Sequence, residues 1–172
     1  MTDFMTLAQT RCSVRKFKAQ PVEDEKIRAI LEAGRIAPTA CNYQPQKIYV
    51  VKSEEARRKL AEHCKCTFAA PVIFMIGYDD DVCAHGMIAP DFVFGNIDAS
   101  IVCSSMMFEA TELGLGTCWV GMFDSEDLKA AFGIPANIHL RALLPTGYAD
   151  ESFVPSVNHG KRKALEEMVT EL

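Results

Sequence analysis

The sequence has no long apolar run, no internal repeat, a single tryptophan and no surplus of basic residues. Its apolar stretches, such as PVIFMIGY at 71–78, fall well short of the about 20 residues a helix needs to cross a bilayer. No membrane span is expected. With 18 Lys and Arg against 23 Asp and Glu, the formal net charge is −5. General binding to nucleic acid or to an anionic membrane needs the opposite imbalance, so neither partner is expected. The opening stretch MTDFMTLAQTRC carries Asp3 early and has no charged region followed by an apolar core. No secretory leader is expected there, and the chain reads as cytoplasmic.

Several chemistries are missing as well. There is no G-x-S-x-G elbow, H-E-x-x-H pair or Walker A loop, which removes the motif-based hydrolase and nucleotide-hydrolysing classes. GLGTCWVG at 114–121 contains G-x-G, but its third glycine is misplaced for a dinucleotide fingerprint. It also follows a long helix instead of a strand. The reactive group of an enzyme built this way is expected to be a bound cofactor. The seven cysteines are odd in number and scattered singly through apolar or helical segments, which reads as reduced thiols. HCKC at 63–66 has no second pair at zinc-site spacing, so it reads as structural or incidental, and no metal is expected.

What is present suits one domain over residues 1–172, with 49% hydrophobic residues and 24% charged. DFMTLAQTR reads as a short amphipathic helix. PVEDEKIRAILEAGRIAP reads as a longer one, with carboxylates in its first turn and Pro38 as its stop. The loop PTACNYQPQ leads to a strand, KIYVVK, followed by a helix over Glu54–His63. PVIFMIGY lacks polar alternation and reads as a fully buried strand. After a polar segment at 79–90, expected to be mobile, comes the longest helix, about 91–113. It carries no charge over 99–108 and is expected to bury one side on its sheet and another on a second chain. SEDLKAAFGIP reads as a helix punctuated by Ser125 and Gly133, HLRALLPTGYA as a strand and KALEEMVTEL as a terminal helix. The sum is a three-layer α+β domain whose residues from about 148 to 172 form an arm and helix.

Two basic clusters stand out from this acidic background. Arg11, Arg15, Lys16 and Lys18 crowd around Ser13 with no carboxylate among them, and HGKRK at 159–163 lies near the other end. Both are expected to hold one phosphate, because guanidinium forks match a dianionic monoester and stay charged. Each feature alone has a plainer reading. Arg11 and Arg15, four apart, suit a solvated helix face; Asn42 suits a turn; GLG suits a helix end; Lys65 suits the surface.

RCSVRKF, APTACNYQP, GNIDASIVCSSMMFEATELGLGTCWVG, LLPTGYADE and GKRKALEEMV occur in that order. Together they resemble the FMN-dependent nitroreductase family over essentially the whole chain. The resemblance implies a nitroreductase-like fold, a central, mostly antiparallel sheet flanked by helices. It also implies an interlocked homodimer with FMN at the subunit interface. Arg11, Ser13 and Arg15, with Cys12 among them, then contact the flavin. Pro38, Thr39, Ala40, Asn42 and Gln44 reach it from the other subunit. Trp119, Val120 and Gly121 supply backbone contacts beside the reactive edge, and Arg162 with Lys161 serves the phosphate. One branch of the family has glutamate where Val120 stands, so only backbone contact is expected at that position. A cation beside the pyrimidine edge tunes the flavin, and the chemistry is carried by FMN with no catalytic side chain.

The implied activity is ping-pong transfer of hydride from NADH or NADPH, through FMN, to a nitroaromatic, quinone or related small-molecule acceptor. Residues 79–91 are too short for the helical lid of larger relatives, which implies an open site. A flavin enzyme with a dedicated substrate, such as a reductive dehalogenase, a flavin-binding protein with little turnover and a thiol sensor built on HCKC are the alternatives.

Overall fold

A computed structural model describes residues 2–86, 89 and 91–172. Along the chain these form α1 (Phe4–Thr10), α2 (Asp24–Arg35), β1 (Gln46–Val51), α3 (Glu54–His63) and β2 (Val72–Asp79). Then come α4 (Gly95–Glu112), β3 (Gly116–Thr117), α5 (Ser125–Phe132) and β4 (Ile138–Gly147). The strands make one sheet in the order β1-β2-β4-β3, with every neighbour antiparallel.

β2 shows why the domain has three layers. Successive side chains of a strand point to opposite faces. Val72, Phe74 and Ile76 enter a core shared with Ile30 of α2 and with Val102 and Met106 of α4. Ile73 and Met75 enter the opposite core, with Leu60 of α3 and Leu128 of α5. Neither face of β2 meets water, so its sequence has no polar alternation. Fully burying each of these side chains stabilises the fold by about 1.5–3 kcal/mol.

Between Ile76 and Gly77 the β2–β4 register shifts, leaving Arg141 as the extra residue of a bulge. Only glycine fits at 77, because a Cβ there would stand 2.3 Å from the His139 carbonyl oxygen.

The helix ends follow local chemistry. Ser53 caps α3 by accepting from the Ala56 N–H at 3.1 Å. α5 is capped by Asp124, which accepts from Glu126 and Asp127 N–H, and not by Ser125 as expected; Gly133 closes it in a left-handed turn. α4 starts at Gly95, later than its apolar pattern suggests. It buries Ala99, Val102, Cys103 and Met106. On its other side Ile97, Ile101 and Phe108, interleaved with Ser100 and Ser104, line a shallow, uncovered depression. No described helix is long and apolar enough to cross a membrane.

Other expectations fare differently. The terminal helix is absent: after Ala164 there is one 3-10 turn, Leu165–Glu167, in a fully exposed stretch. So short a segment gains helical stability only by packing a face, and here none is packed. The two-residue β3 had no sequence signal. Of the segment expected to be mobile, Met87, Ile88 and Pro90 lie outside the described residues. Its remainder is tied back on itself by a His85–Val93 bridge and by Phe94 N donating to Ala84 O at 3.0 Å.

Candidate functional site

The N-terminal basic run and the C-terminal arm meet because their roots pair as strands. Lys18 N donates to Tyr148 O at 2.9 Å, Asp150 N donates to Lys16 O at 3.0 Å, and Phe17 bridges Ala149 between them. Tyr148 is anchored in turn: its hydroxyl donates to the Glu23 carboxylate at 2.9 Å and accepts from Lys26 Nζ at 2.8 Å. From this root the arm turns and carries Ser156, Asn158, His159 and Arg162 over Arg11, Cys12, Ser13 and Arg15. The cleft they enclose measures about 250 Å³.

The fold sorts the cations. Lys16 lies 3.6 Å from Asp150 and Lys18 3.0 Å from Glu151, so both lysines are neutralised by the arm's root. Arg11, Arg15 and Arg162 have no carboxylate at ion-pair distance among the described residues. Arg162 is steadied by its own turn, with Nη1 donating to the carbonyls of His159 and Lys161, each at 2.7 Å. Three uncompensated guanidinium groups in one cleft make a site for an anion.

The turn after α4 runs alongside the arginine segment. Val14 N donates to Thr117 O at 2.8 Å and Ser13 bridges Thr117, which lays the arginine segment along residues 116–118. Gly116 allows this closeness, since a Cβ there would stand 2.5 Å from Val14 Cγ2. Beyond it, Val120 pairs with Leu143 and its side chain is buried, while Trp119 is half-exposed. At Gly121 no atom lies within 4 Å of where a Cβ would be, so a flat ligand can reach the backbone.

Burial pushes the Cys118 thiol up, although Arg15 and Arg11 pull the other way, and Cys12 follows the same pattern. Burial also raises Cys64, so the thiol of HCKC beside His63 is neutral rather than nucleophilic. His63 is engaged by α5, its Nδ1 lying 2.7 Å from Asp127 Oδ2.

Not every expected residue is in the cleft. Trp119, Val120, Gly121 and Lys161 do not line it, and neither do Pro38, Thr39, Ala40, Asn42 and Gln44. Their loop is held rigid elsewhere: Ala40 N donates to Asp98 Oδ1 at 2.9 Å and Gln44 N to Thr39 Oγ1 at 3.0 Å. Cys41, Asn42 and Gln44 all take left-handed backbone, with φ of 53° to 55°. Ala40 and Cys41 border a second, mainly apolar cavity of about 710 Å³, walled by Ala84, His85, Phe92 and Phe94. Ser156 and Asn158 were not foreseen as lining residues; the only hint was their place directly before the second basic cluster, whose first residue, His159, also lines the cleft.

One chain therefore offers a polar, cationic pocket suited to a phosphate and an open backbone edge suited to a ring. The residues present fit the phosphate end of FMN.

Known proteins with the same architecture bear on this geometry. The sequence model of the nitroreductase family matches residues 8–73 and 67–148. A protein of Methanothermobacter thermautotrophicus, provisionally named NADH dehydrogenase/NAD(P)H nitroreductase, is 29% identical over 87% of this chain and 79% of its own length. The crystal structure of a nitroreductase family protein from Clostridium difficile 630 superposes with a TM-score of 0.91. It shares 34% identity, and 98% of each chain is covered. A provisionally named nitroreductase of Desulfovibrio desulfuricans, solved in complex with FMN, superposes with a TM-score of 0.84. It is 25% identical over 100% of this chain and 98% of its own. With the family's sequence model covering most of its length and its fold reproduced end to end, this chain belongs to the nitroreductase family.

Proposed function

We propose that this protein is an NAD(P)H-dependent flavin oxidoreductase of the reducing cytoplasm. One FMN is held per chain, and the acceptor is a nitroaromatic, a quinone or a related small flat molecule. The observation that carries this reading is the cleft in which Arg11, Arg15 and Arg162 stand without a carboxylate partner while the neighbouring lysines are paired off. Bound FMN would supply hydride transfer, accepting from NADH or NADPH and reducing the acceptor in a ping-pong sequence.

The chain's own residues bind and orient. Arg162 and Arg11 with Ser13, aided by Lys161, hold the phosphate. Arg15, beside Cys118, serves the ring end, where a cation favours added negative charge. Trp119, Val120 and Gly121 present backbone. No side chain is needed as acid or base.

The functional unit is a homodimer. The uncovered face of α4, with Ile97, Ile101 and Phe108, and the exposed Val154, Val157, Leu165 and Met168 of the arm are the surfaces a second copy covers. Its loop, with Pro38, Thr39, Ala40, Asn42 and Gln44, fills the side of the cleft that one chain leaves open. The apolar cavity beside Cys41 travels with that loop and suits an aromatic acceptor. All of this belongs to one domain, residues 1–172, with 148–172 as its arm.

The test is cofactor identity followed by turnover. Heat release and chromatography are expected to yield one FMN per chain, and steady-state assays with NADH or NADPH and a quinone are expected to give parallel double-reciprocal lines. Stoichiometric FAD, or no oxidation of reduced nicotinamide with any acceptor of a quinone and nitroaromatic panel, overturns the proposal.

A further inference from the structure

At the end of β2 the chain turns at once, with Val82 N and Cys83 N both donating to Asp79 O, at 3.2 and 3.0 Å. The turn gathers Asp80, Cys83 and His85, and one donor atom from each lies within 4.8 Å of the others. Cys83 Sγ is 3.6 Å from His85 Nε2 and 3.6 Å from Asp80 Oδ1. A tetrahedral zinc ion, with Zn–S near 2.3 Å and Zn–N or Zn–O near 2.0–2.2 Å, separates its sulfur from each other ligand by about 3.5 Å. Two edges of the coordination tetrahedron are therefore already set.

We propose that Asp80, Cys83 and His85 form a binding site for a thiophilic divalent metal ion, zinc in the first place, at the wall of the apolar cavity. One sulfur, one imidazole and one carboxylate suit zinc, whereas calcium and magnesium take oxygen donors. Outer contacts hold the ligands in place. Asp80 N donates to Asn137 O at 2.9 Å, and His139 Nε2 lies 4.0 Å from Asp80 Oδ2. Asp98, only 1% exposed, gives one oxygen to Ala40 N and has no partner for the other among the described residues. Its carboxylate is near enough to act on Cys83, so a second carboxylate stands close to the site. Cys83 is buried, while His85 is exposed and lines the cavity, so the imidazole marks the way in.

As the sulfur–metal bond forms, the thiol proton leaves to solvent; nothing is oxidised or reduced. The ion ties residues 83–85 to the end of β2, on a wall of the cavity that Phe92 and Phe94 also line. Its fourth position is left to water or an acceptor oxygen. None of the three ligands lines the cationic cleft of the same chain, and only the fourth position's use by an acceptor rests on the proposed function. The sequence concealed it because D-x-x-C-x-H is not a recognised zinc spacing.

The experiment uses the full-length, cofactor-bound protein, stripped of metal by a chelator and titrated with Co²⁺ and then Zn²⁺. The expected result is one Co²⁺ per chain, with a sulfur-to-cobalt charge-transfer band in the difference spectrum that Zn²⁺ abolishes. Cys83→Ala is expected to remove the band. His85→Ala, which alters an exposed side chain and keeps the fold, and Asp80→Asn are expected to weaken uptake about tenfold or more. Cys64→Ala is expected to bind as the unaltered protein does. Absence of stoichiometric uptake, uptake by His85→Ala equal to that of the unaltered protein, or a band lost in Cys64→Ala overturns the proposal.

Discussion

Arg162→Ala isolates the phosphate grip. The guanidinium pairs with no carboxylate among the described residues and bonds only to carbonyls of its own turn, so its loss orphans no buried charge. The folded chain without cofactor is expected to keep its stability, within a few tenths of a kcal/mol. Bound FMN presents a different balance, because a hydrogen bond to a charged group contributes about 1.5–3 kcal/mol. Arg162 sits on an exposed arm where water and salt screen it, so the lower end applies. At 1.4 kcal/mol per factor of ten, FMN is expected to bind about 10- to 30-fold more weakly. Lys18→Ala is the matched control, a cation of the same region already paired with Glu151. The assay is quenching of FMN fluorescence on titration with cofactor-free protein, at low and moderate salt. Only Arg162→Ala should shift the midpoint, and the shift should shrink as salt rises. Equal losses in both variants, or a fall in the melting temperature of cofactor-free Arg162→Ala, would refute the division between paired lysines and free arginines.

Arg15→Ala is expected to lower the two-electron midpoint potential of bound FMN by tens of millivolts, at about 30 mV per 1.4 kcal/mol; dye-coupled potentiometry checks it, and an unchanged potential counts against the ring-end role. Ile101→Glu, on the uncovered α4 face, is expected to lose dimer and flavin together, as read by light scattering and absorbance. A flavin-loaded monomer would show that the site does not span two chains. Gly77→Ala forces a Cβ against the His139 carbonyl and is expected to cost about 3 kcal/mol or more in urea unfolding; a cost under about 1 kcal/mol would mean the bulge can move. Native thiol labelling followed by mass spectrometry is expected to modify exposed Cys41 first and to spare Cys103, whose thiol burial pushes far above its ordinary range.

Local chemistry made much of the fold legible. α3 runs over Glu54–His63 as read, because Ser53 caps it and its carboxylates sit in the first turn. β2 was visible because a strand buried on both faces cannot alternate. The bulge at Gly77, the two residues of β3 and the capping of α5 by Asp124 depend on neighbours distant in sequence or on rotamer choice, which periodicity does not carry. The terminal segment has helix-forming residues, yet without a surface to pack on it makes one turn.

In the site, the two basic clusters were plain in the sequence, but which cations remain free was not. Lys16 and Lys18 are matched with Asp150 and Glu151, and Lys18 and Glu151 are 133 residues apart. Ser156 and Asn158 join the cleft only because the arm turns back, and nothing in their spacing announces that.

The antiparallel pairing of residues 16–18 with 148–150 has a consequence for the newborn chain. Lys16 meets Ser152 across 136 residues, so at ribosomal speeds of about 5–20 residues per second the first arginines wait about 7–27 s for the strand that shields their neighbours. Throughout that interval Arg11, Arg15, Lys16 and Lys18 emerge as an unpaired cationic tail, within reach of ribosomal RNA and of any polyanion nearby. A nascent chain stalled before residue 148 would therefore present all four cations unpaired, where the finished protein leaves only Arg11 and Arg15 of them free of a carboxylate.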